Sequence, residues 1–262
     1  MILGGALVAL AVGWLDTCAL PTLLPAYSHN DYLSARPLID ALAAGYRGLE
    51  VDLYRNGQRL MVGHDRRSAL RFHTLDALYL RRMQERLARC GFVLAPGVPF
   101  LLNLELKEED PEAFQLLVTE LTSYEASLFR DGHVRPVLVG WWPASPPPQV
   151  RWPSYLAVQL PFVGRPAPET APPGPPIGFV SVDYSETLRW NGRGLVPERA
   201  QALLTAALRL GNALGVPVRV HQVPVRAAVF DWLLRSGTDL IGVRQLESAT
   251  PLLLPRPVPN RR

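Results

Sequence analysis

The chain has 262 residues, of which 48% are apolar and 19% are charged, and its formal net charge is +4. This length fits one α/β barrel or two smaller domains, and the apolar fraction is that of a globular protein with a sizeable core. The basic residues are almost all arginines scattered along the chain. This pattern argues against nucleic-acid binding and leaves a weak preference for anionic substrates.

The chain begins with a short apolar segment, residues 2–14, which is too short to span a bilayer. It resembles the core of a signal peptide, although no basic residue precedes it, and small residues around Cys18 would allow cleavage. We treat residues 1–24 as a candidate signal or anchor segment; lipid attachment at Cys18, a misassigned start codon and a first barrel layer are the alternatives. A signal would make the protein secreted or membrane-associated, and otherwise it is cytoplasmic. Cys18 and Cys90 have no metal-type spacing, and we expect no disulfide framework.

Beyond this segment, short apolar runs alternate with longer amphipathic segments, which is the pattern of a parallel α/β fold. Asn56-Gly57 predicts a tight hairpin, so that residues 59–62 return antiparallel to the strand before them. The predicted strands are 25–29, 48–54, 59–62, 99–106, 136–141, 156–160, 177–182, 216–220 and 239–243. The predicted helices are 36–44, 74–90, 110–129, 196–214 and 225–236. The strand count indicates a TIM-type (β/α)8 barrel.

Two proline-rich runs, residues 143–148 and 161–176, interrupt this alternation. Proline at such density forms neither helix nor inner strand, so we expect long loops that replace or shorten a barrel helix. Neither run is long enough to separate two domains. The sequence therefore predicts a single barrel over residues 25–250, irregular around the loops, followed by a loose tail over 251–262.

Three carboxylates interrupt predicted buried strands. Glu50 and Asp52 lie two residues apart and therefore on the same side of one strand, and Glu105 ends the next long apolar run. Carboxylates in a core cost several kcal/mol unless something compensates them. A hard divalent cation is the simplest compensation, since Mg²⁺ and Ca²⁺ prefer oxygen ligands. The sequence thus predicts one bound divalent cation, Mg²⁺ or Ca²⁺.

Two histidines accompany these acids, His29 at the end of the first predicted strand and His64 after the hairpin. Working residues in a barrel lie at the carboxyl ends of strands, so we expect both histidines at the same mouth as the acids. Imidazole is suited to act as general acid or base because its ordinary pKa is near neutrality. Lys107, the only lysine, lies two residues after Glu105, at the end of an acid-bearing strand, which points to a specific role there.

These motifs resemble those of a known superfamily. Ser28-His29-Asn30-Asp31-Tyr32, Glu50-x-Asp52 and Gly63-His64-Asp65 resemble the glycerophosphodiester phosphodiesterases, whose superfamily includes the phosphatidylinositol phospholipase C-like phosphodiesterase barrels. Within it, the segments around Asp183 and Trp190 are most similar to the altered inheritance of mitochondria protein family. The resemblance covers about residues 26–246.

The resemblance implies a metal-dependent phosphoric diester hydrolase with a role in lipid metabolism, acting on a phospholipid, a lipid headgroup or a glycerophosphodiester. It implies His29 and His64 as the catalytic acid and base. The metal ligands implied are Glu50, Asp52 and Glu105. Either water or a neighbouring substrate hydroxyl would be the nucleophile.

One position departs from the best-known relatives, which have arginine after the first histidine where this chain has Asn30. We assign Asn30, Lys107 and Arg219 to substrate binding, with Arg219 as the substitute for that arginine. The partner expected is a small-molecule or lipid phosphodiester, with contact to a membrane surface and without nucleic acid. The alternative function is an inactive barrel that binds a phosphorylated ligand or a membrane surface.

Overall fold

The structure is a computed structural model that describes residues 17–69, 73–145, 147–148, 150–164 and 174–254. Most of the predicted signal or anchor segment therefore lies outside the described residues. So do the middle of the second proline-rich run and the tail from residue 255.

Nine strands form one sheet in the described residues. They are β1 (Leu24–Ser28), β2 (Tyr46–Asn56), β3 (Arg59–Val62), β4 (Phe100–Leu106), β5 (Val134–Gly140), β6 (Ala157–Pro161), β7 (Ile177–Asp183), β8 (Val218–His221) and β9 (Leu240–Val243). The order is β1-β9-β8-β7-β6-β5-β4-β2-β3, and β1 also pairs with β2. All pairs are parallel except β2–β3, so eight strands close into a parallel barrel and β3 lies outside it. The predicted barrel and the predicted hairpin are both confirmed.

The helices connect these strands around the outside of the barrel. They are α1 (Ile39–Ala43), α2 (Arg66–Ala69), α3 (Arg81–Cys90), α4 (Pro111–Thr122), α5 (Glu198–Leu214), α6 (Ala227–Arg235) and α7 (Leu246–Leu253). Single π-helical turns precede α3 and follow α4 and β7. The described residues between β5 and β6 and between β6 and β7 contain no helix, as the proline-rich runs predicted. Helix α7 ends at Leu253 and therefore includes the first three residues of the segment 251–262 that we expected to be a loose tail.

The two faces of β2 and β4 differ because side chains alternate along a strand. Leu49, Val51 and Leu53 pack outward against the helices, while Glu50 and Asp52 point into the barrel. A separate apolar cluster packs within the barrel and consists of Tyr27, Leu101, Val137, Val139, Ala157, Phe179 and Leu240. Gly242 leaves room for it, since a Cβ there would come within 2.6 Å of the Tyr27 hydroxyl. This packing confines the polar side chains to the other end of the barrel.

A disulfide joins Cys18 to Cys90, at the end of α3, with an S–S distance of 2.09 Å. We expected no disulfide framework, and the sequence analysis did not predict this single bond. The buried Arg86 holds the same segment, donating from Nε to Val93 O at 2.7 Å and from Nη1 to Thr17 O at 3.1 Å. The pairing was hidden because 72 residues separate the cysteines, and only the tertiary fold brings them together.

None of the helices in the described part of the chain is both long enough and apolar enough to cross a bilayer.

Candidate active site

A cavity of about 780 Å³ opens at the carboxyl ends of the barrel strands. Its size is within the range of ligand pockets, and its position is where barrels of this kind place working residues. Every residue that the sequence singled out for the site lines it: His29, Asn30, Glu50, Asp52, His64, Glu105, Lys107 and Arg219. The strands thus bring together residues that are up to 190 positions apart, from 29 to 219.

The three carboxylates form one cluster. Glu50 and Asp52 point inward from β2, and the parallel register places Asp52 opposite Glu105 on β4. One oxygen from each lies within 4.8 Å of the others. Both β2 acids are buried, and Asp52 Oδ1 has no hydrogen-bond partner among the described residues. A buried carboxylate oxygen without a partner, beside two other carboxylates, fits a hard divalent cation.

Two side-chain cations balance part of this negative charge. The Arg219 guanidinium donates a hydrogen bond to Glu50 Oε2 and lies 4.5 Å from the centre of the Tyr27 ring. Lys107 Nζ lies 2.9 Å from Glu105 Oε1 and 3.8 Å from Asp52 Oδ2. Burial raises the pKa of Glu50 to about 7, and Arg219 opposes that rise. Arg219 is therefore a partner of Glu50 in this structure, and its contact with substrate remains a prediction.

His29 lies between Glu50 and an arginine that sequence reasoning missed. Its Nδ1 is 3.4 Å from Glu50 Oε1, and its Nε2 is 3.2 Å from the guanidinium of Arg244. Burial, and then the charges of Arg219 and Arg244, lower the pKa of His29 to about 3, so the ring is neutral near pH 7. Because Arg244 can only donate, Nε2 accepts and the ring proton is assigned to Nδ1.

His64 lies on the other side of the carboxylates, just after the β2–β3 hairpin, and its side chain is 60% exposed. Its Nδ1 is 3.3 Å from the Asn30 amide nitrogen, 3.4 Å from the Tyr32 hydroxyl and 3.5 Å from Asp52 Oδ2. Tyr32 donates to the same Asp52 oxygen at 2.7 Å. Asn30 reaches this position from a left-handed backbone conformation, with φ 53°. These contacts fix the ring orientation while its outer edge stays open to solvent.

Two further residues of the site were not predicted, Arg244 and Tyr32. Arg244 follows β9, and nothing in its local sequence separates it from the other scattered arginines. Tyr32 follows His29 closely, and its hydrogen bond to Asp52 depends on the turn after β1. His221, at the end of β8, also lines the cavity, with Nδ1 4.0 Å from Asp183 Oδ2.

The two other acids beside the histidines have structural roles. Asp31 is buried and accepts from the Leu38 amide at 2.6 Å and from the Tyr79 hydroxyl at 3.1 Å. Asp65 accepts from the amides of Arg67 and Ser68, both at 2.8 Å, and so caps α2. Neither lines the cavity.

The closed parallel barrel is also the fold of solved phosphodiesterase structures. A glycerophosphodiester phosphodiesterase from Parabacteroides distasonis superimposes with a TM-score of 0.51 at 15% identity, covering 90% of this chain and 98% of that one. One from Agrobacterium tumefaciens gives 0.50 at 15% identity, covering 86% and 97%. At these identities the similarity establishes the fold alone, a TIM-type (β/α)8 barrel.

The sequence matches are more specific and cover less of the chain. Residues 20–129 match the AIM6-like phosphodiesterase domain. The chain is 32% identical over 117 residues to Altered inheritance of mitochondria protein 6 from Eremothecium gossypii. That alignment covers 39% of this chain and 30% of the relative, so it spans less than a third of the relative's length. The resemblance inferred from the motifs is thereby confirmed for residues 20–129, which carry both histidines and all three carboxylates.

Proposed function

We propose that this protein is a phosphoric diester hydrolase that depends on a divalent cation and acts on a phospholipid, a lipid headgroup or a glycerophosphodiester. The observation that carries the proposal is the arrangement of His29 and His64 in one cavity. His29 contacts Glu50 at one end of the carboxylate cluster, and His64 contacts Asp52 at the other. The phosphodiesterase domain match and the barrel of the glycerophosphodiester phosphodiesterases support the same class.

Glu50, Asp52 and Glu105 would hold the cation, which is Mg²⁺ or Ca²⁺ because all three donors are carboxylate oxygens. When bound, the ion supplies positive charge to a non-bridging phosphate oxygen. Lys107 keeps two of these carboxylates in place through its contacts with Glu105 and Asp52. Arg219 does the same for Glu50.

His29 is the general base in this proposal. Its Nε2 carries the lone pair, which accepts a hydrogen bond from Arg244 until a phosphate engages that guanidinium, and Glu50 orients the ring through Nδ1. A neutral imidazole at this position can take the proton from water or from a neighbouring substrate hydroxyl. As the reaction proceeds, the nearby Glu50 carboxylate stabilises the imidazolium that forms.

His64 is the general acid. It lies across the carboxylate cluster from His29, which is where the leaving oxygen of an in-line displacement departs. Asn30 and Tyr32 hold the ring by Nδ1, which leaves Nε2 directed outward. Because the side chain is largely exposed, it regains its proton from water between turnovers.

In this proposal Arg244, and not Arg219 as the sequence suggested, takes the place of the arginine that the best-known relatives have after the first histidine, because Arg219 is engaged with Glu50. Its guanidinium lies 3.2 Å from His29 Nε2 and 3.3 Å from the Gln222 side-chain oxygen. A phosphate that approaches His29 therefore meets Arg244, whose fork geometry suits two phosphate oxygens. Lys107 adds a second cation on the opposite side.

The test is turnover of bis(p-nitrophenyl) phosphate, phospholipids and glycerophosphodiesters with Mg²⁺ or Ca²⁺, and after EDTA. We expect turnover that EDTA removes and the ion restores. A separate readout is thermal unfolding, since an ion at about 100 times its Kd adds about 2.7 kcal/mol of stability. Glu105→Gln should abolish this gain, whereas Glu109→Gln, an exposed neighbour outside the cavity, should retain it.

The outcomes of this test separate the two functions considered. Turnover that is insensitive to EDTA would contradict the metal-dependent mechanism. Ion binding without turnover on any of these substrates would instead support an inactive barrel that binds a phosphorylated ligand.

We also propose that the protein works in an oxidising compartment, as a secreted or membrane-associated protein. The support is the Cys18–Cys90 disulfide, because such bonds are rare where glutathione keeps thiols reduced. Because the Cys18 thiol forms this bond, it is not available for lipid attachment. The test is alkylation of free thiols in intact cells, followed by reduction and mass-tagging. Two tags added only after reduction are expected, whereas two thiols already alkylated would refute the proposal.

A further inference from the structure

The exposed apolar side chains are concentrated at the mouth of the barrel. Seven large apolar residues are exposed in the described residues, and four of them lie on loops that follow the carboxyl ends of strands. These four are Leu33 after β1, Val163 after β6, Leu195 after β7 and Val225 after β8. Leu195 is 94% exposed and Val163 is 73% exposed. Single exposed apolar residues are ordinary, but a concentration around one opening is characteristic of an interaction surface.

The four residues occupy one continuous arc of the rim. The strands that carry them are neighbours in the order β6, β7, β8, β9 and β1. Of these strands, only β9 is not followed by one of the four exposed apolar residues, and it is followed by Arg244 instead. The rest of the rim, above β2, β4 and β5, has no large apolar side chain exposed among the residues described there. We call the arc that follows β6 to β1 the apolar rim.

Arginines lie between the apolar tips. Arg193 and Arg226 are exposed on the loops that follow β7 and β8, and Arg199 is exposed in the first turn of α5. None of the three makes an ion pair with any residue that the structure describes. On the opposite side of the mouth, by contrast, Arg55 pairs with Asp110 and Arg66 pairs with Glu108. The positive charge of the apolar rim is therefore free for an external partner.

We propose that the apolar rim docks onto an anionic lipid surface. Exposed apolar side chains can insert between the acyl chains, while neighbouring arginines contact the negatively charged headgroups. Val163 belongs both to the rim and to the cavity wall, so docking would bring the cavity mouth against the membrane. The inference rests on the placement of these residues and not on the chemistry of the site. It deepens the proposed function, because a docked cavity would take its phosphodiester from a lipid.

The experiment is sedimentation of the full chain with vesicles of phosphatidylcholine, alone or with an equal amount of phosphatidylglycerol. We expect binding to the anionic vesicles that weakens as salt is added. Leu195→Ser combined with Val163→Ser should lower the partition coefficient about tenfold, from the lost apolar burial. Arg193→Gln should lower it about fivefold on anionic vesicles.

Matched controls lie at the other end of the barrel. Leu20 precedes β1 and is 62% exposed, and Arg235 is exposed at the end of α6. Leu20→Ser and Arg235→Gln should leave binding unchanged. No binding to anionic vesicles at low salt, or an equal loss in rim and control variants, would overturn the proposal. Because His29→Ala should bind vesicles like the unaltered chain, failure of docking and failure of the proposed catalysis remain distinguishable.

Discussion

Replacing His29 or His64 with alanine is expected to lower kcat by about 10²–10⁴-fold, the usual contribution of a general acid or base. The two losses have different physical reasons. Without His29 no group between Glu50 and Arg244 can take a proton, and without His64 the leaving oxygen departs unprotonated. The measurement is kcat on bis(p-nitrophenyl) phosphate, with circular dichroism and thermal unfolding to verify the fold.

The control for these variants is His133→Ala. His133 lies at the amino end of β5, outside the cavity lining, and among the described residues its backbone oxygen accepts from the Phe100 amide. Added imidazole should partly restore His64→Ala, because that side chain is 60% exposed and its space is open to solvent. A folded His29→Ala or His64→Ala variant with near-normal kcat would show that the residue has no catalytic role.

Loss of the Cys18–Cys90 disulfide is expected to lower the free energy of unfolding by about 4 kcal/mol. The bond links cysteines 72 residues apart. Constraining a loop of that length lowers the entropy of the unfolded chain, which stabilises the folded protein by about 4 kcal/mol. For a chain of this size the melting temperature should fall by about 8–16 °C. The measurement is thermal and urea unfolding of Cys18→Ser/Cys90→Ser beside the unaltered protein.

Reductant provides the internal control for this prediction. It should destabilise the unaltered protein by the same amount as the double substitution and have no effect on the double variant. Equal melting temperatures with and without reductant would contradict the stabilising role of the bond. Turnover per folded molecule should remain unchanged, since the bond is not part of the cavity.

The carboxylate cluster could be predicted because it depends on local periodicity. Glu50 and Asp52 share a strand face by the period of two, and strand alignment in a barrel brings Glu105 beside them. The hairpin at Asn56-Gly57 likewise follows from two residues, and it carries His64 to the mouth. Such features are fixed within a few residues of the chain and can be recognised without tertiary information.

The remaining features depend on contacts between distant residues. Arg244 reaches His29 across 215 positions, and Arg219 reaches Glu50 across 169. Strand register, and the space left by neighbouring side chains, decide which of the many scattered arginines points into the barrel. The sequence therefore predicted a cationic group near the phosphate but did not identify Arg244. The disulfide could not be predicted for the same reason, since the two cysteines come together only in the folded barrel.

The pairing of Arg219 with Glu50 and of Lys107 with Glu105 bears on how the protein matures. Many small metalloproteins fold only when their ion arrives, because the ligands repel each other without it. Here two side-chain cations already balance part of that negative charge. On the proposed function, we therefore expect folding and ion loading to be separate events, so that the protein folds as a stable apoprotein. Activity would then be controlled by the supply of the ion and not by folding.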